Sequence, residues 1–427
     1  MQPFEFQRTE VNGIRIHVLP TERFKTYAVS LYIGRPLEES TVTPTAIIPF
    51  ILRRGTSLYP ETRAFRERLD ELYGAGFGFD IYKRGNNQIV QFRMDTVDDR
   101  FMGEQKPSLL QETLAFLGQT VTQPALENGE FVSKYLDAEK QTIQNKLESI
   151  VNDKIRYAAE RCMQVMYADD PFRYNPLGRL EDIASLEAGS LYEQYRSWLR
   201  HAPMDLYVVG HTTLEEVTEI VKEQFQIDRA ELFDYRIEAT HRFIKEPKVV
   251  VEQLDVNQGK LNMGLTAPFT YNDPHYPAAM IYNGILGGYP HSKLFSNVRE
   301  KASLAYYASS RLDGYKGMLM IQSGIEIENY ERAVDIISEQ LQALRSGQIT
   351  DLELSQTKAL MSNQIKEIND SPNEMIGFDF NTILTGAKRT VVSVLEDINQ
   401  VTKEQTQAVA QNVDLDTIYF LKNQKGE

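Results

Sequence analysis

The stretch Ser292-Lys293-Leu294-Phe295-Ser296-Asn297-Val298-Arg299-Glu300-Lys301-Ala302-Ser303-Leu304-Ala305-Tyr306 is where the fold becomes readable. A turn, Gly287-Gly288-Tyr289-Pro290, precedes it, and the pattern predicts a helix over 292–301 followed by strands near 306–312 and 317–323. Residues 69–94 can be laid on 298–323 without gaps, so that Glu71 meets Glu300, Gly85 meets Gly314 and Phe77 meets Tyr306. Two identities alone do not carry a repeat, but the order of elements recurs around both segments.

Working outward, the first half predicts strands at 13–19, 29–33, 78–83, 88–94 and 206–210. Its helices are expected from Pro44, with Thr43 as N-cap, and at 63–73, 107–119, 130–152 and 191–199. The second half predicts strands at 249–253, 260–265 and 417–421, and helices at 276–286, 330–345 and 351–369. Short strands with helices bunched between them give an α+β class. Two homologous halves are expected, each a mostly antiparallel sheet with helices packed on one face. The halves are 1–226 and 248–427, joined by a charged, aperiodic linker at 227–247; the tail 422–427 is polar. A chain of 427 residues exceeds the usual size of one core, which agrees with two domains.

Lys and Arg total 46 against 60 Asp and Glu, a net charge of −14, which disfavours general nucleic-acid binding. A single cysteine, Cys162, excludes an internal disulfide and any multi-cysteine metal site, and reads as a packed helix residue. Residues 1–8 carry charges without the apolar core of a signal peptide, and no apolar run is long enough to span a membrane. A cytoplasmic protein is therefore expected.

The quoted stretch resembles the insulinase/pitrilysin-like family of zinc metallopeptidases, whose C-terminal halves carry a pattern like S-x-L-F-x-x-V-R-E-x-x-x-L-A-Y. Arg53-Arg54-Gly55-Thr56-Ser57 and Leu69-Asp70-Glu71-Leu72-Tyr73-Gly74-Ala75 also look like that family. The resemblance implies two homologous halves per subunit and two subunits around a peptide-binding chamber. In active members H-x-x-E-H precedes the Gly-Thr segment: two histidines one helical turn apart hold zinc, and the glutamate activates water. A later glutamate is the third protein ligand. By this resemblance the histidine positions are Ala46 and Phe50, the catalytic glutamate position is Pro49, and the third ligand position is Lys146. Alanine, phenylalanine and proline offer no ligand or base, and an ammonium repels a dication. The six histidines, His17, His201, His211, His241, His275 and His291, include no pair four apart. No zinc is expected in this chain, only in a partner.

Arg299 and Tyr306 keep the family's spacing of seven. The resemblance implies that they bind substrate backbone and help stabilise the oxyanion; a surface ion pair to Glu300 or Asp313 and a packed ring are the structural alternative. The expected function is a non-catalytic subunit of a peptidase complex. It contributes chamber wall and the Arg299–Tyr306 pair to a homologous H-x-x-E-H subunit that hydrolyses peptides. No catalytic residue is expected in the isolated chain, which forms a homodimer or stays monomeric. The alternative is a non-enzymatic peptide-binding or structural scaffold. Other motifs read structurally: Gly287-Gly288 lacks the Lys-Ser/Thr pair of a phosphate loop, His291 reads as a turn residue, Asp169-Asp170-Pro171 as an Asx-turn, and helix 139–148 as a solvated amphipathic segment.

Overall fold

The computed structural model describes residues 4–102, 107–235, 237, 244 and 246–423. The expected linker 227–247 lies partly, and the expected tail 422–427 mostly, outside the described residues. The chain divides into two compact units: Met1–Leu147, Tyr174–Arg236 and Asn369–Leu384 form the first, and Glu148–Arg173, Ile237–Ile368 and Thr385–Glu427 the second. Each unit thus takes a segment from the other half of the sequence.

In the first unit β1 (Gln7–Val11), β2 (Ile14–Pro20), β3 (Thr26–Pro36), β4 (Gly76–Arg84) and β5 (Asn87–Val97) precede a small hairpin, β6 (Leu126–Glu127) and β7 (Glu130–Phe131), and then β8 (Met204–Gly210). The second unit has β9 (Lys248–Leu254), β10 (Gly259–Thr266), β11 (Ala305–Asp313), β12 (Met318–Ile325) and β13 (Asp414–Asn423). The main sheets run β1-β2-β8-β3-β5-β4 and β11-β12-β10-β13-β9. Read from the β4 and β11 edges, the second order reproduces the first five strands of the first. The hairpins β4–β5 and β11–β12 are both antiparallel, and each sheet has one parallel pair, β2–β8 and β9–β13. The offset that lays Phe77 on Tyr306 therefore superposes equivalent edge strands. The α+β class and the repeat are both present.

The first long helix spans Glu39–Leu52, starting earlier than Thr43. Thr43 does not cap because its hydroxyl donates to Asp182 at 2.8 Å and accepts from the Arg179 N–H at 3.0 Å. Pro44 and Pro49 consequently lie inside the helix. Helix Tyr330–Arg345 matches its expected bounds, with Ala333, Ile337, Leu341 and Leu344 buried along one face. The described part of 227–235 is not a free tether: Arg229 donates to carbonyls of Gly13, Leu199 and Ala202, and Tyr235 donates to Asp205 at 3.1 Å.

The segments taken from the opposite half close the two cores. Helix Pro372–Thr385 lays Phe380 on Tyr32 with ring centroids 3.8 Å apart, and its Asp379 accepts from Arg8 and from Tyr207 at 2.8 Å. In the second unit, helix Lys154–Met166 buries Ala158, Cys162 and Met166 with Tyr419 and Leu421 of β13. Burial pushes the Cys162 thiol up to about 12, in keeping with a packing role. Asp170 forms the expected Asx-turn, accepting from the Phe172 N–H at 2.8 Å, and also receives the Lys316 ammonium at 2.7 Å. Lys316 is 1% exposed and lies over the Tyr167 and Phe172 rings. Among the described residues no helix is long and apolar enough to cross a membrane.

Removing one partner of a buried ion pair leaves the other charge uncompensated. Asp170→Ala is expected to cost about 3 kcal/mol in urea-induced unfolding. Lys316→Met should cost clearly less, because the apolar chain can occupy the ring-lined site. Equal losses would mean that the charge pairing is not what matters there.

Candidate functional site

Ala46 and Phe50 stand one turn apart on helix Glu39–Leu52 and are both buried, 0% and 4% exposed. Pro49 between them is buried and carries no N–H for the helical ladder. Lys146 comes from helix Ser133–Asn152, and its ammonium sits 5.9 Å from the Phe50 ring centroid. Two positions expected to be neighbours in a metal site are therefore neighbours, and their side chains present an aromatic face and a cation. The Phe50 ring also packs edge-on against Phe79 at 4.8 Å and lies under the Arg53 guanidinium at 5.2 Å. Among the described residues no group of three or more His, Cys, Asp or Glu side chains could hold a metal ion.

These side chains border a cleft of ≈ 410 Å³, lined by Phe50, Arg53, Phe79, Asp80, Lys146 and neighbours on edge strand β4. Behind it lies Glu139, 0% exposed, which accepts from Arg54 Nε at 2.5 Å and pairs with Arg53 at 3.8 Å. The helix carrying Lys146 is thus not solvated throughout, and the expected solvated helix 139–148 is corrected at Glu139. The Arg53-Arg54 pair directly before Gly55 was the available signal for a buried counter-charge. Gly55 is required by close approach: a Cβ there would meet the Tyr59 and Pro60 carbonyl oxygens at 2.6 and 2.5 Å.

Arg299 and Tyr306 belong to the second unit. Arg299 lies in a π-helical segment, Phe295–Lys301, and is exposed, with its guanidinium 4.5 Å from the Phe295 ring centroid. It forms no ion pair among the described residues, so the alternatives Glu300 and Asp313 do not engage it. Tyr306 opens edge strand β11 and is 58% exposed rather than packed. Its hydroxyl donates to Glu326 Oε1 at 2.8 Å. That bond to a carboxylate raises the phenol above its ordinary range, so it stays protonated and a donor.

A model described as the Peptidase M16 inactive domain matches residues 185–361, a span that includes Arg299 and Tyr306. Over 420 residues the chain is 38% identical to a probable inactive metalloprotease, YmfF, of Bacillus subtilis, covering 98% of each. The chain belongs to the M16 peptidase family. Among solved structures, a conserved protein from Enterococcus faecalis is 30% identical, with a TM-score of 0.93 and 99% of each chain covered. The M16 inactive domain from Pseudomonas fluorescens shares the fold at 15% identity, with a TM-score of 0.81 over 99% of each chain. The insulinase-like resemblance of the edge-strand and helix motifs is thereby borne out. Within that family this chain lacks H-x-x-E-H, and Arg53 and Lys146 both approach the Phe50 ring.

The isolated chain is expected to hold no stoichiometric zinc after dialysis, as read by elemental analysis. The combined variant Ala46→His, Pro49→Glu, Phe50→His and Lys146→Glu should take up about one zinc per chain, because it restores a three-ligand set on adjoining helices. A folded variant without metal uptake would mean that these positions do not form the metal geometry.

Proposed function

We propose that this chain is the non-catalytic subunit of a two-subunit M16 peptidase. The partner carries H-x-x-E-H, zinc and the general base. This chain supplies chamber wall together with Arg299 and Tyr306, which engage the substrate backbone and the oxyanion. The observation that carries the reading is an asymmetry. The positions that the family pattern gives to metal and base hold Ala46, Pro49, Phe50 and Lys146 on this reading, while Arg299 and Tyr306 keep their spacing, are exposed and carry donors. An oxyanion needs donors that act in the transition state, and a protonated phenol and a guanidinium are donors of that kind. The B. subtilis relative is described as probably inactive, which agrees with a role outside the chemical step.

A second reading, a scaffold without enzymatic work, is favoured by one contact. The Tyr306 hydroxyl already spends its proton on Glu326, so binding substrate requires that bond to be exchanged. Mixed with an H-x-x-E-H partner, Tyr306→Phe should lower kcat on a quenched fluorescent peptide by roughly 10²–10³ without altering assembly on size exclusion. Arg299→Ala should also impair cleavage. Wild-type turnover by both assembled variants would favour the scaffold.

A further inference from the structure

In an Asn-Gly step the second residue has no Cβ, so its backbone nitrogen can approach the asparagine amide carbon closely. The sequence has this step at 12–13, 128–129 and 283–284. The fold gives the three steps different surroundings. At 283–284 the nitrogen is engaged, because the Gly284 N–H donates to the Met280 and Ile281 carbonyls where helix Tyr276–Asn283 ends. Asn283 Oδ1 accepts from the Ser310 hydroxyl at 2.8 Å, and a Cβ on Gly284 would meet Thr357 Cγ2 at 2.5 Å. At 12–13 the amide is held. Asn12 Nδ2 donates to the carbonyls of Phe225 at 3.0 Å and Lys222 at 3.3 Å. Arg229 covers that turn, since a Cβ on Gly13 would meet its Cγ and Nε at 2.9 Å.

Asn128-Gly129 has none of these restraints. Both residues take positive φ, 54° and 85°, in the two-residue turn of the β6–β7 hairpin. Both are exposed, and a Cβ on Gly129 would meet nothing within 4 Å. Among the described residues neither the Asn128 side chain nor the Gly129 N–H forms a hydrogen bond. The turn is flanked by the paired residues Glu127 and Glu130. Ring closure requires Asn128 to rotate out of the turn, and the local cost is small. Strands β6 and β7 have two residues each and form a two-stranded sheet of their own. The turn at Asn12 instead joins strands with five paired residues in a six-stranded sheet, so opening it disturbs far more pairing.

We propose that Asn128 is a modification site, converted to aspartate and isoaspartate by its own backbone and water, and that the conversion weakens the β6–β7 hairpin. The Gly129 nitrogen bonds to Asn128 Cγ. The bond from Cγ to the side-chain nitrogen breaks, and that nitrogen leaves as ammonia with the proton lost from the Gly129 nitrogen. The product is a cyclic imide. Water then adds at one of its two carbonyls. Opening at Cγ gives aspartate, and opening at the backbone carbon gives isoaspartate, whose chain runs through Cβ and Cγ. Neither step needs an oxidant or a reductant. Both products place a new carboxylate in the turn between Glu127 and Glu130. Isoaspartate also lengthens the backbone of a turn whose geometry matches the strand twist only with two ordinary residues. In the same hairpin Phe131 is 1% exposed and packs on Tyr192 and Tyr195 of helix Ala188–His201, with centroids 5.3 and 5.4 Å away. The change therefore falls beside the ring that seats the hairpin.

The test ages the full chain in mildly alkaline buffer, folded and in concentrated urea. Peptide mapping by mass spectrometry follows the three Asn-Gly steps in the same sample, and electron-transfer fragmentation separates isoaspartate from aspartate. In the folded protein Asn128 should convert about tenfold or more faster than Asn12, whose two hydrogen bonds must break first. Asn283 should stay intact. In urea, where these contacts are gone, the gap between the two turn sites should largely close. Amide hydrogen exchange over 126–131 should be faster in the aged chain than in the fresh one. An intact Asn128 in folded protein whose urea sample has converted would overturn the proposal, and so would conversion led by Asn12 or Asn283. A gap that persists in urea would overturn the role given to the fold, since flanking sequence would then set the rates. Unchanged exchange in the converted chain would overturn the weakening of the hairpin. No partner, metal or turnover enters these measurements, so they are independent of the peptidase reading.

Discussion

Helix Lys154–Met166 can lie against the second sheet because residue 264, in the middle of β10, has no side chain. A Cβ there would meet Met166 Sδ at 2.8 Å, with Cys162 Sγ at 3.6 Å behind it. That close approach lets Ala158, Cys162 and Met166 fill the space over β10 and β13. The segment continues into Asp170 and Phe172, which enclose the Lys316 ammonium between a carboxylate and two rings. One apolar seam and one buried ion pair therefore bind a first-half segment into the second unit. The corresponding segment of the second half, Pro372–Thr385, uses a different solution in the first unit. It adds a stacked Phe380 and a carboxylate, Asp379, held by Arg8 and Tyr207. The repeat conserves topology while the chemistry of closure differs.

This exchange was not legible in the sequence, although much of the sheet framework was. The hairpins near 78–94 and 306–323 announce themselves through period-two alternation, and helix Tyr330–Arg345 through its apolar stripe. An amphipathic helix shows that it must cover something, but not which sheet. Choosing between two similar sheets is a long-range decision. The start of helix Glu39–Leu52 was obscured for a related reason. Thr43 followed by Pro44 is a good local start signal, yet the Thr43 hydroxyl is taken by Asp182 and by the Arg179 N–H. Tertiary hydrogen bonds outweighed a capping preference worth about 1 kcal/mol.

The candidate site was legible where spacing alone mattered. Positions 46 and 50 stand one turn apart on one helix, and position 146 lies beside position 50. Arg299 and Tyr306 are both exposed. Burial of Glu139 and the bond from Tyr306 to Glu326 were hidden, because both depend on residues distant in sequence. The second of these changes the chemistry expected of Tyr306. A phenol donating to a carboxylate is oriented and kept protonated, but it must leave that acceptor before it can serve a developing oxyanion.

The side chains around Phe50 form a matched set. Zinc needs lone pairs converging on a dication, whereas Phe50 offers a quadrupole whose negative face suits cations. Arg53 and Lys146 use that face, and Glu139 partly balances Arg53 from the buried side. Restoring a single ligand would not move this cluster toward metal binding. An imidazole at position 50 would lie near a guanidinium and an ammonium, which oppose both its protonation and the approach of Zn²⁺. A carboxylate at 146 would instead pair with Arg53 while Phe50 and Pro49 remained. Each single reversal thus meets an electrostatic obstacle set by the others, through the contacts of Arg53 and Lys146 with the Phe50 ring.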